Sequence, residues 1–255
     1  MNRLFFISLL SFFIFATDNL SAQHLVNLVP APVLLEEGNG SFQLTEETVI
    51  SVENEEQESL ASDFADLFTV PAGFTPGVEI GAANAAISLI TDRNLRKEAY
   101  RLEVTERGIR MYASEPGGFF YAFQTLRLLL PSDIEGTALA NQEWKVPAVS
   151  MKDEPRFGYR SMMLDVARCF IPKEEVLRIV DCMAMLKLNT LHLHLSDDTG
   201  WRLEIKKYPR LTQVGAWRVD RGNLPFYARL NQQEGERATL GGFYTQDDMA
   251  EIVAY

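Results

Sequence analysis

Cysteine and histidine are both scarce in this chain of 255 residues, which has two cysteines and three histidines. Secreted scaffolds that depend on disulfides use many more cysteines, so we expect Cys169 and Cys182 to form no structural bridge. Their spacing of 13 residues matches no metal-binding framework. These shortages exclude a small disulfide-dependent scaffold and a cysteine-rich metal module.

Glycine and proline are limited too, with 16 and 11 residues, which excludes a collagen-like or low-complexity chain. Hydrophobic residues make up 47% of the chain and charged residues 23%. That apolar content is enough for a core, so intrinsic disorder is excluded. The length fits one large domain or two smaller ones.

Basic residues are missing from a long early stretch. Between Gln23 and Asp92 there are twelve acidic residues and no lysine or arginine, whereas Arg93 to Tyr255 has 23 basic and 22 acidic residues. The formal net charge of −11 argues against nucleic acid or an anionic membrane as a partner. The uneven distribution of charge predicts two differently built regions.

Long apolar runs are absent except near the N-terminus, where Leu4–Ala16 follows Arg3 and leads to Ser21 and Ala22. This is the layout of a secretory signal peptide. The run is shorter than the roughly 20 residues that a permanent membrane helix needs. We therefore expect residues 1–22 to be removed and the protein to be exported, with a retained N-terminal anchor as the alternative. No later segment is apolar enough to cross a membrane.

The first region, residues 23–150, shows the pattern of an α+β domain. Ala99–Thr105 alternates apolar and polar residues, turns, and returns as Ile109–Ala113, which predicts a β-hairpin. Phe119–Leu130 is long and apolar enough for a helix, which stops at Pro131. Antiparallel strands with helices on one face are the expected arrangement.

The second region, residues 151–255, shows a different pattern. After a polar passage from Ser132 to Pro155, strands and helices alternate, which predicts parallel strands. The predicted elements are a buried strand Ser161–Val166, a helix from Pro172 to about Leu188, a strand Thr190–Leu195 and a final helix beginning near Thr245. The buried face of the first helix is expected to include Leu186 and Cys182. In such folds the chemistry lies at the C-terminal ends of the strands.

Arg168 follows the first of these strands directly. A guanidinium at a strand end offers up to five hydrogen-bond donors to a polar ligand. The alternative is a purely structural ion pair with Asp165 or another acid.

Asp197 and Asp198 form an acidic pair at the end of the second strand. Adjacent residues on an extended strand point to opposite faces, so at most one of them faces a ligand. A neighbouring pair also lacks the separation that two-carboxylate glycosidases need. We expect one aspartate to bind or orient a ligand and the other to be structural; a strand cap with loop hydrogen bonds is the alternative.

His192 and His194 lie two residues apart on the second strand, so both imidazoles share one face. A His-x-His strand begins the metal site of some barrel metallohydrolases. The third histidine, His24, lies beside the predicted cleavage site, so the chain is poor in metal ligands. Packed, hydrogen-bonded histidines are the favoured interpretation.

Seven motifs follow one another in the second region, and together they resemble the start of the catalytic barrel of exo-acting β-N-acetylhexosaminidases, glycoside hydrolase family 20. The first region is similar to the α+β domain that precedes that barrel. The motifs are Phe157-Gly-Tyr-Arg160, Leu164-Asp-Val-Ala-Arg168, Lys187-Leu-Asn189, His192-Leu-His-Leu-Ser-Asp-Asp-Thr-Gly-Trp-Arg202, Ile205-Lys-Lys-Tyr-Pro209, Val214-Gly-Ala-Trp-Arg218 and Gly241-Gly-Phe-Tyr-Thr245.

The resemblance implies a (β/α)₈ barrel enzyme that acts on glycans with terminal, β-linked N-acetylglucosamine or N-acetylgalactosamine. It also implies that the enzyme needs no metal or other cofactor. The 2-acetamido oxygen of the sugar attacks the anomeric carbon in this family, an aspartate orients that amide, and the following glutamate protonates the leaving group. By the same resemblance, Arg168 would bind hydroxyls of the non-reducing sugar. Asp197 would support a histidine further along the barrel.

The chain departs from the family pattern in two respects. Cys169 stands where the family commonly has histidine, and the catalytic Asp-Glu pair, which the family has at the fourth barrel strand, is missing. The one adjacent Asp-Glu, Asp153-Glu154, precedes the barrel, and only 102 residues run from Glu154 to Tyr255, against about 250 for a barrel. We therefore expect an incomplete barrel that is inactive alone. The alternatives are a sugar-binding protein without catalysis and a metal-dependent hydrolase using His192 and His194.

Overall fold

The computed structural model describes residues 28–221 and 234–255. The predicted signal peptide, residues 1–22, and His24 lie outside these ranges. Within them, no helix has the length and apolar character to cross a membrane.

A mixed sheet of seven strands forms the first region. The strands are β1 (Leu34–Gln43), β2 (Val49–Val52), β3 (Gly77–Ile80), β4 (Ile87–Thr91), β5 (Tyr100–Thr105), β6 (Gly108–Ala113) and β7 (Lys145–Asp153). Their order in the sheet is β1-β7-β5-β6-β4-β2-β3. The predicted hairpin is confirmed, because β5 and β6 pair antiparallel from Tyr100 opposite Ala113 to Thr105 opposite Gly108.

The prediction of antiparallel order is wrong for half of this sheet. Strand β2 pairs parallel with β3 and β4, and β4 pairs parallel with β6. Parallel strands need a crossover connection, and helix α1 (Glu55–Asp66) supplies one between β2 and β3. Its N-cap Asn54 accepts a hydrogen bond from the backbone N–H of Gln57, and its first turn is acidic, which suits a helix N-terminus.

The second half of the polar passage Ser132–Pro155 contains a strand that the sequence did not predict. Strand β7 pairs with β1 on one side and β5 on the other, deep in the first sheet. Its residues Val146, Val149 and Met151 are buried. Polar neighbours and Pro147 interrupt the alternation in the sequence, so this strand depends on its two partners.

Helix α2 (Pro116–Leu129) confirms the predicted apolar helix and ends just before Pro131. It packs on the sheet through Phe119, Phe123 and Leu126, all at most 3% exposed. The ring of Phe123 stacks on Phe64 of α1 at 4.9 Å between centroids. The first region therefore has one core between the sheet and two helices.

The second region contains a parallel β-α-β unit, as predicted. Strands β8 (Ser161–Asp165) and β9 (Thr190–His194) pair in register, with Asp165 opposite His194. Helix α3 (Lys173–Met185) connects them, and α5 (Gln246–Ala254) begins at Thr245 with a capping box. Between β9 and α5 lie β10 (Ser196–Asp197), β11 (Gly200–Trp201), α4 (Arg210–Gln213), β12 (Trp217–Arg218) and β13 (Leu240–Gly241).

Several expected burials in this region are wrong. On β8, Met162 and Met163 are 37% and 54% exposed, because within the described residues β8 pairs only with β9. Leu186 is 46% exposed, since α3 ends at Met185 and Lys187 adopts a positive φ of 58°. Cys182 is exposed on α3, and both cysteines are free, as expected.

Charged residues join the two regions. Lys187 Nζ, almost fully buried, donates to Asp153 Oδ2 at 2.7 Å and to the hydroxyl of Tyr100 at 2.8 Å. Arg160 Nη1 donates to Glu98 Oε2 at 3.0 Å. Burial lowers the pKa of Lys187, and it raises the pKa of Tyr100, which also faces the Asp153 carboxylate. These pairs attach the start of β8 and the end of α3 to the first sheet.

Candidate functional site

Arg168 and Asp197, predicted from two separate strand ends, lie together in the structure. Arg168 Nη2 is 2.6 Å from Asp197 Oδ2. They meet because β8 and β9 are parallel neighbours, so the loops that leave their C-terminal ends start from one edge. The Arg168 side chain is 47% exposed, so a ligand in solution can reach it.

Asp165 holds the other side of Arg168. Its Oδ2 accepts from Arg168 Nη1 at 2.6 Å, and its Oδ1 accepts from the Arg168 backbone N–H at 3.0 Å. The structural pair with Asp165 therefore exists together with the contact to Asp197. Arg168 is held between two carboxylates by this hydrogen bond and by the ion pair with Asp197, and its guanidinium has further N–H groups, Nε–H among them, for other partners.

The charges of the site stabilise one another. The hydrogen bond with His194 is the main cause that lowers the pKa of Asp197, followed by the Asp198 backbone N–H. Partial burial raises the pKa of Asp165, but the hydrogen bonds from Arg168 outweigh it, and the pKa of that carboxyl falls. The pair with Asp165 raises the pKa of Arg168. Both carboxylates are ionised at neutral pH, and Arg168 keeps its charge.

The two histidines, His192 and His194, have different surroundings. His194 Nε2 lies 2.8 Å from Asp197 Oδ2, as expected for a hydrogen-bonded histidine. His192 is exposed, so its expected packing is wrong. Within the described ranges, no three metal-ligating side chains are grouped as a metal site. Of the acidic pair, Asp197 faces Arg168, while Asp198 is exposed and donates its backbone N–H to Asp197 Oδ1.

The most buried charged side chain of the region, that of Arg202, was not predicted from the sequence. Arg202 is 1% exposed. Its guanidinium donates to four backbone carbonyls: Val166 at 2.9 Å, Ala167 at 2.9 Å, Ala216 at 2.6 Å and Gly242 at 3.0 Å. Within the part of the chain that the structure describes, no carboxylate lies within ion-pair distance of it.

Gly200 makes room for the Arg202 guanidinium, and the lowered pKa of Arg202 reflects the cost of burying its charge. A Cβ on Gly200 would lie 2.4 Å from the guanidinium, so the glycine permits its approach. Burial lowers the pKa of Arg202, and nearby Arg218 lowers it further. Burying an ion costs on the order of several kcal/mol unless its donors are satisfied. The Gly-Trp-Arg sequence at 200–202 was the available signal, but a sequence pattern does not reveal burial.

The adjacent Asp153-Glu154 lies away from this site. Asp153 is 9% exposed, at the end of β7, and accepts the ion pair from Lys187. Its carboxylate is therefore committed to the junction of the two regions.

The fold and the site define a class of glycoside hydrolase. Residues 157–255 match the catalytic domain of glycosyl hydrolase family 20, and residues 25–154 match domain 2 of the same family. The chain belongs to glycosyl hydrolase family 20.

Similar proteins are β-hexosaminidases. The chain is 39% identical over 234 residues to the beta-hexosaminidase of Porphyromonas gingivalis, covering 90% of this chain and 28% of that protein. It is 40% identical over 231 residues to the beta-hexosaminidase of Vibrio furnissii, covering 90% of this chain and 35% of that protein. The chain thus spans about a third of the length of these curated relatives.

Solved structures agree on the fold. The β-N-acetylhexosaminidase of Streptomyces coelicolor A3(2) superposes with a TM-score of 0.76 at 34% identity, over 89% of this chain and 43% of that one. The exo-β-N-acetylglucosaminidase of Vibrio harveyi in complex with N-acetylglucosamine has a TM-score of 0.73 at 34% identity, over 89% of this chain and 34% of that one. These likenesses confirm the predicted fold: an α+β domain followed by the first part of a (β/α)₈ barrel.

Proposed function

We propose that this chain belongs to an enzyme that removes terminal, β-linked N-acetylhexosamine from glycans by the substrate-assisted retaining mechanism of its family. The position of Arg168 between Asp165 and Asp197 at the strand ends of the barrel is the observation that best supports this function. The names of the relatives, beta-hexosaminidases, support the same substrate class.

Arg168 is the proposed sugar-binding residue. Asp165 and Asp197 hold its two terminal nitrogens, so the remaining N–H groups have a fixed direction. A guanidinium held in this way can donate two hydrogen bonds to neighbouring hydroxyls of one sugar ring. Asp197 is the proposed supporting residue: it holds the Arg168 guanidinium in place and, by the resemblance to the family, would support a histidine further along the barrel.

The chemistry of the family makes the position of the bound sugar ring important for the reaction. The acetamido oxygen of the sugar forms a bond to the anomeric carbon as the glycosidic bond breaks, and the leaving oxygen takes a proton from a glutamate. Precise placement of the sugar ring is therefore part of the reaction. In this proposal the described residues hold the ring, and the acid comes from an Asp-Glu pair that this sequence lacks at a strand end.

We also propose that the protein is exported. The layout of residues 1–22, with a charged start, an apolar centre and small residues at its end, supports this localisation. Secretion of a fusion of residues 1–30 to a reporter would test it, with Leu9→Arg as the variant expected to stay inside the cell. Equal secretion of both fusions would contradict the proposal.

A ligand comparison tests the function. Saturation-transfer NMR would compare methyl β-N-acetylglucosaminide, methyl β-N-acetylgalactosaminide and methyl β-glucoside as ligands of the purified chain. We expect signals from one or both acetamido sugars and none from the glucoside, and no turnover of a chromogenic N-acetylglucosaminide. Equal signals from all three sugars, or from none, would contradict the proposed sugar site.

A further inference from the structure

Arg202 connects three chain segments near the site. Its Nε and Nη2 donate to Val166 and Ala167, which directly follow β8, while Nη1 donates to Ala216 and Gly242 in two later loops. No described carboxylate pairs with this buried charge, so its hydrogen-bonding capacity is spent on backbone carbonyls.

The segment that Arg202 holds is the one that leads into Arg168. The carbonyl of Ala167 also accepts from the Thr199 hydroxyl at 3.2 Å, and the N–H of Ala167 donates to the His194 carbonyl at 3.0 Å. The backbone just before Arg168 is therefore fixed from both sides. The direction in which the Arg168 side chain leaves the strand depends on this backbone.

We propose that Arg202 is a positioning residue: by binding the carbonyls of Val166 and Ala167, it sets the direction of Arg168 and holds it between Asp165 and Asp197. The inference rests on the proposed sugar-binding function of Arg168. It assigns Arg202 an effect on the site through the backbone, without contact with the sugar.

A lysine cannot replace this arrangement. One ammonium group is a compact point charge, whereas the planar guanidinium reaches four carbonyls in three segments. Arg202→Lys retains the charge and most of the apolar stem, so it is the mildest change that removes the fixed geometry. Arg202→Ala leaves a space that free guanidinium ion can enter.

The experiment measures the pKa values of the two carboxyl groups that face Arg168. The carboxyl groups of Asp165 and Asp197 would be titrated by ¹³C NMR in the wild-type chain, in Arg202→Lys and in Arg202→Ala with and without millimolar guanidinium. Arg178→Met is the control, because Arg178 lies on the exposed side of α3 and pairs with Glu175. Thermal melting of each variant reports whether the chain stays folded.

We expect both carboxyl pKa values to rise towards their ordinary range in Arg202→Lys and Arg202→Ala, and guanidinium to restore the wild-type titration in Arg202→Ala alone. Wild-type titrations in both folded variants would overturn the proposal. Loss of the whole fold in both variants, with no rescue by guanidinium, would also overturn it, because Arg202 would then be structural.

Sugar affinity separates this inference from the proposed function. If the wild-type chain binds the acetamido sugar, Arg202→Lys should bind it about tenfold more weakly. If the wild-type chain binds none, the proposed function fails, while the carboxyl titrations still decide for or against Arg202.

Discussion

Arg168 and Asp197 are 29 positions apart in the sequence, yet Arg168 Nη2 lies 2.6 Å from Asp197 Oδ2. The contact depends on the parallel pairing of β8 and β9, which brings the two strand ends to one edge. The same Asp197 oxygen lies 2.8 Å from His194 Nε2. One carboxylate thus connects an arginine that follows β8 with a histidine at the end of β9.

Asp197→Asn tests the supporting role of this carboxylate. Removing its charge abolishes the ion pair with Arg168 Nη2 that helps to orient the guanidinium. We expect binding of methyl β-N-acetylglucosaminide to weaken about tenfold by calorimetric titration. Asp198→Asn, the exposed neighbour, is the control and should change affinity less than about twofold. Equal losses in both variants would contradict a specific role for Asp197.

Asp248 gives a prediction for the pH dependence of stability. The Thr245 hydroxyl first, and then Lys173, lower the pKa of Asp248 to about 2. A lowered carboxyl pKa stabilises the fold above the ordinary value and loses that effect as pH falls through the lowered one. Asp248→Asn should therefore be less stable at pH 6 by about 1 kcal/mol.

Melting temperatures of the wild-type chain and Asp248→Asn between pH 6 and pH 2 would check this. The difference between the two should shrink below about pH 4 and disappear near pH 2, where the wild-type carboxyl takes up its proton. A constant difference across the range would contradict the assigned cause.

Gly117 and Gly118 are adjacent in the first turn of α2 but have opposite surroundings. A Cβ on Gly118 would lie 2.5 Å from the Ala99 carbonyl oxygen, whereas a Cβ on Gly117 would lie 3.5 Å from its nearest neighbour, Glu98 Cγ. Gly118→Ala should destabilise the chain by about 1–3 kcal/mol through overpacking. Gly117→Ala should stabilise it by up to about 1 kcal/mol through helix propensity. Urea unfolding curves of both variants measure this; the same sign of effect in both would refute it.

The Lys187–Asp153 pair predicts a strong attachment between the two regions. Both side chains are nearly buried, at 10% and 13% exposure. Lys187→Met would leave the Asp153 carboxylate buried without its cation, a change that costs about 3–5 kcal/mol. The exposed pair of Lys145 and Glu143 supplies the control, since Lys145→Met should cost less than about 1 kcal/mol. Similar urea midpoints for the two variants would contradict this account of the junction.

Local patterns predicted the elements that depend on local chemistry. The β5–β6 hairpin has its turn residues in place, α2 stops at Pro131, and α5 has the Thr245 and Asp248 pair that forms a capping box. Strand β7 was not predicted, because Pro147 and its polar neighbours hide its alternation until two partner strands cover it. Helix α1 was not predicted either, although its Asn54 cap and acidic first turn are local signals of a helix start.

The same distinction applies to the site. Arg168 and Asp197 could be predicted because each follows an apolar strand, and parallel strands bring such ends together. Arg202 could not, because its burial depends on carbonyls from residues up to 40 positions away. A buried arginine that pairs with no carboxylate among the described residues also contradicts the usual rule that charges lie outside.

Arg168→Met tests the central claim most directly. Isothermal titration would measure the affinity of the wild-type chain, Arg168→Met and the surface variant Arg178→Met for methyl β-N-acetylglucosaminide. We expect Arg168→Met to lose at least about tenfold in affinity, because the charge-assisted hydrogen bonds to the sugar are gone, while Arg178→Met binds as the wild type does. Wild-type affinity in a folded Arg168→Met chain would show that the sugar does not bind at the ends of β8 and β9.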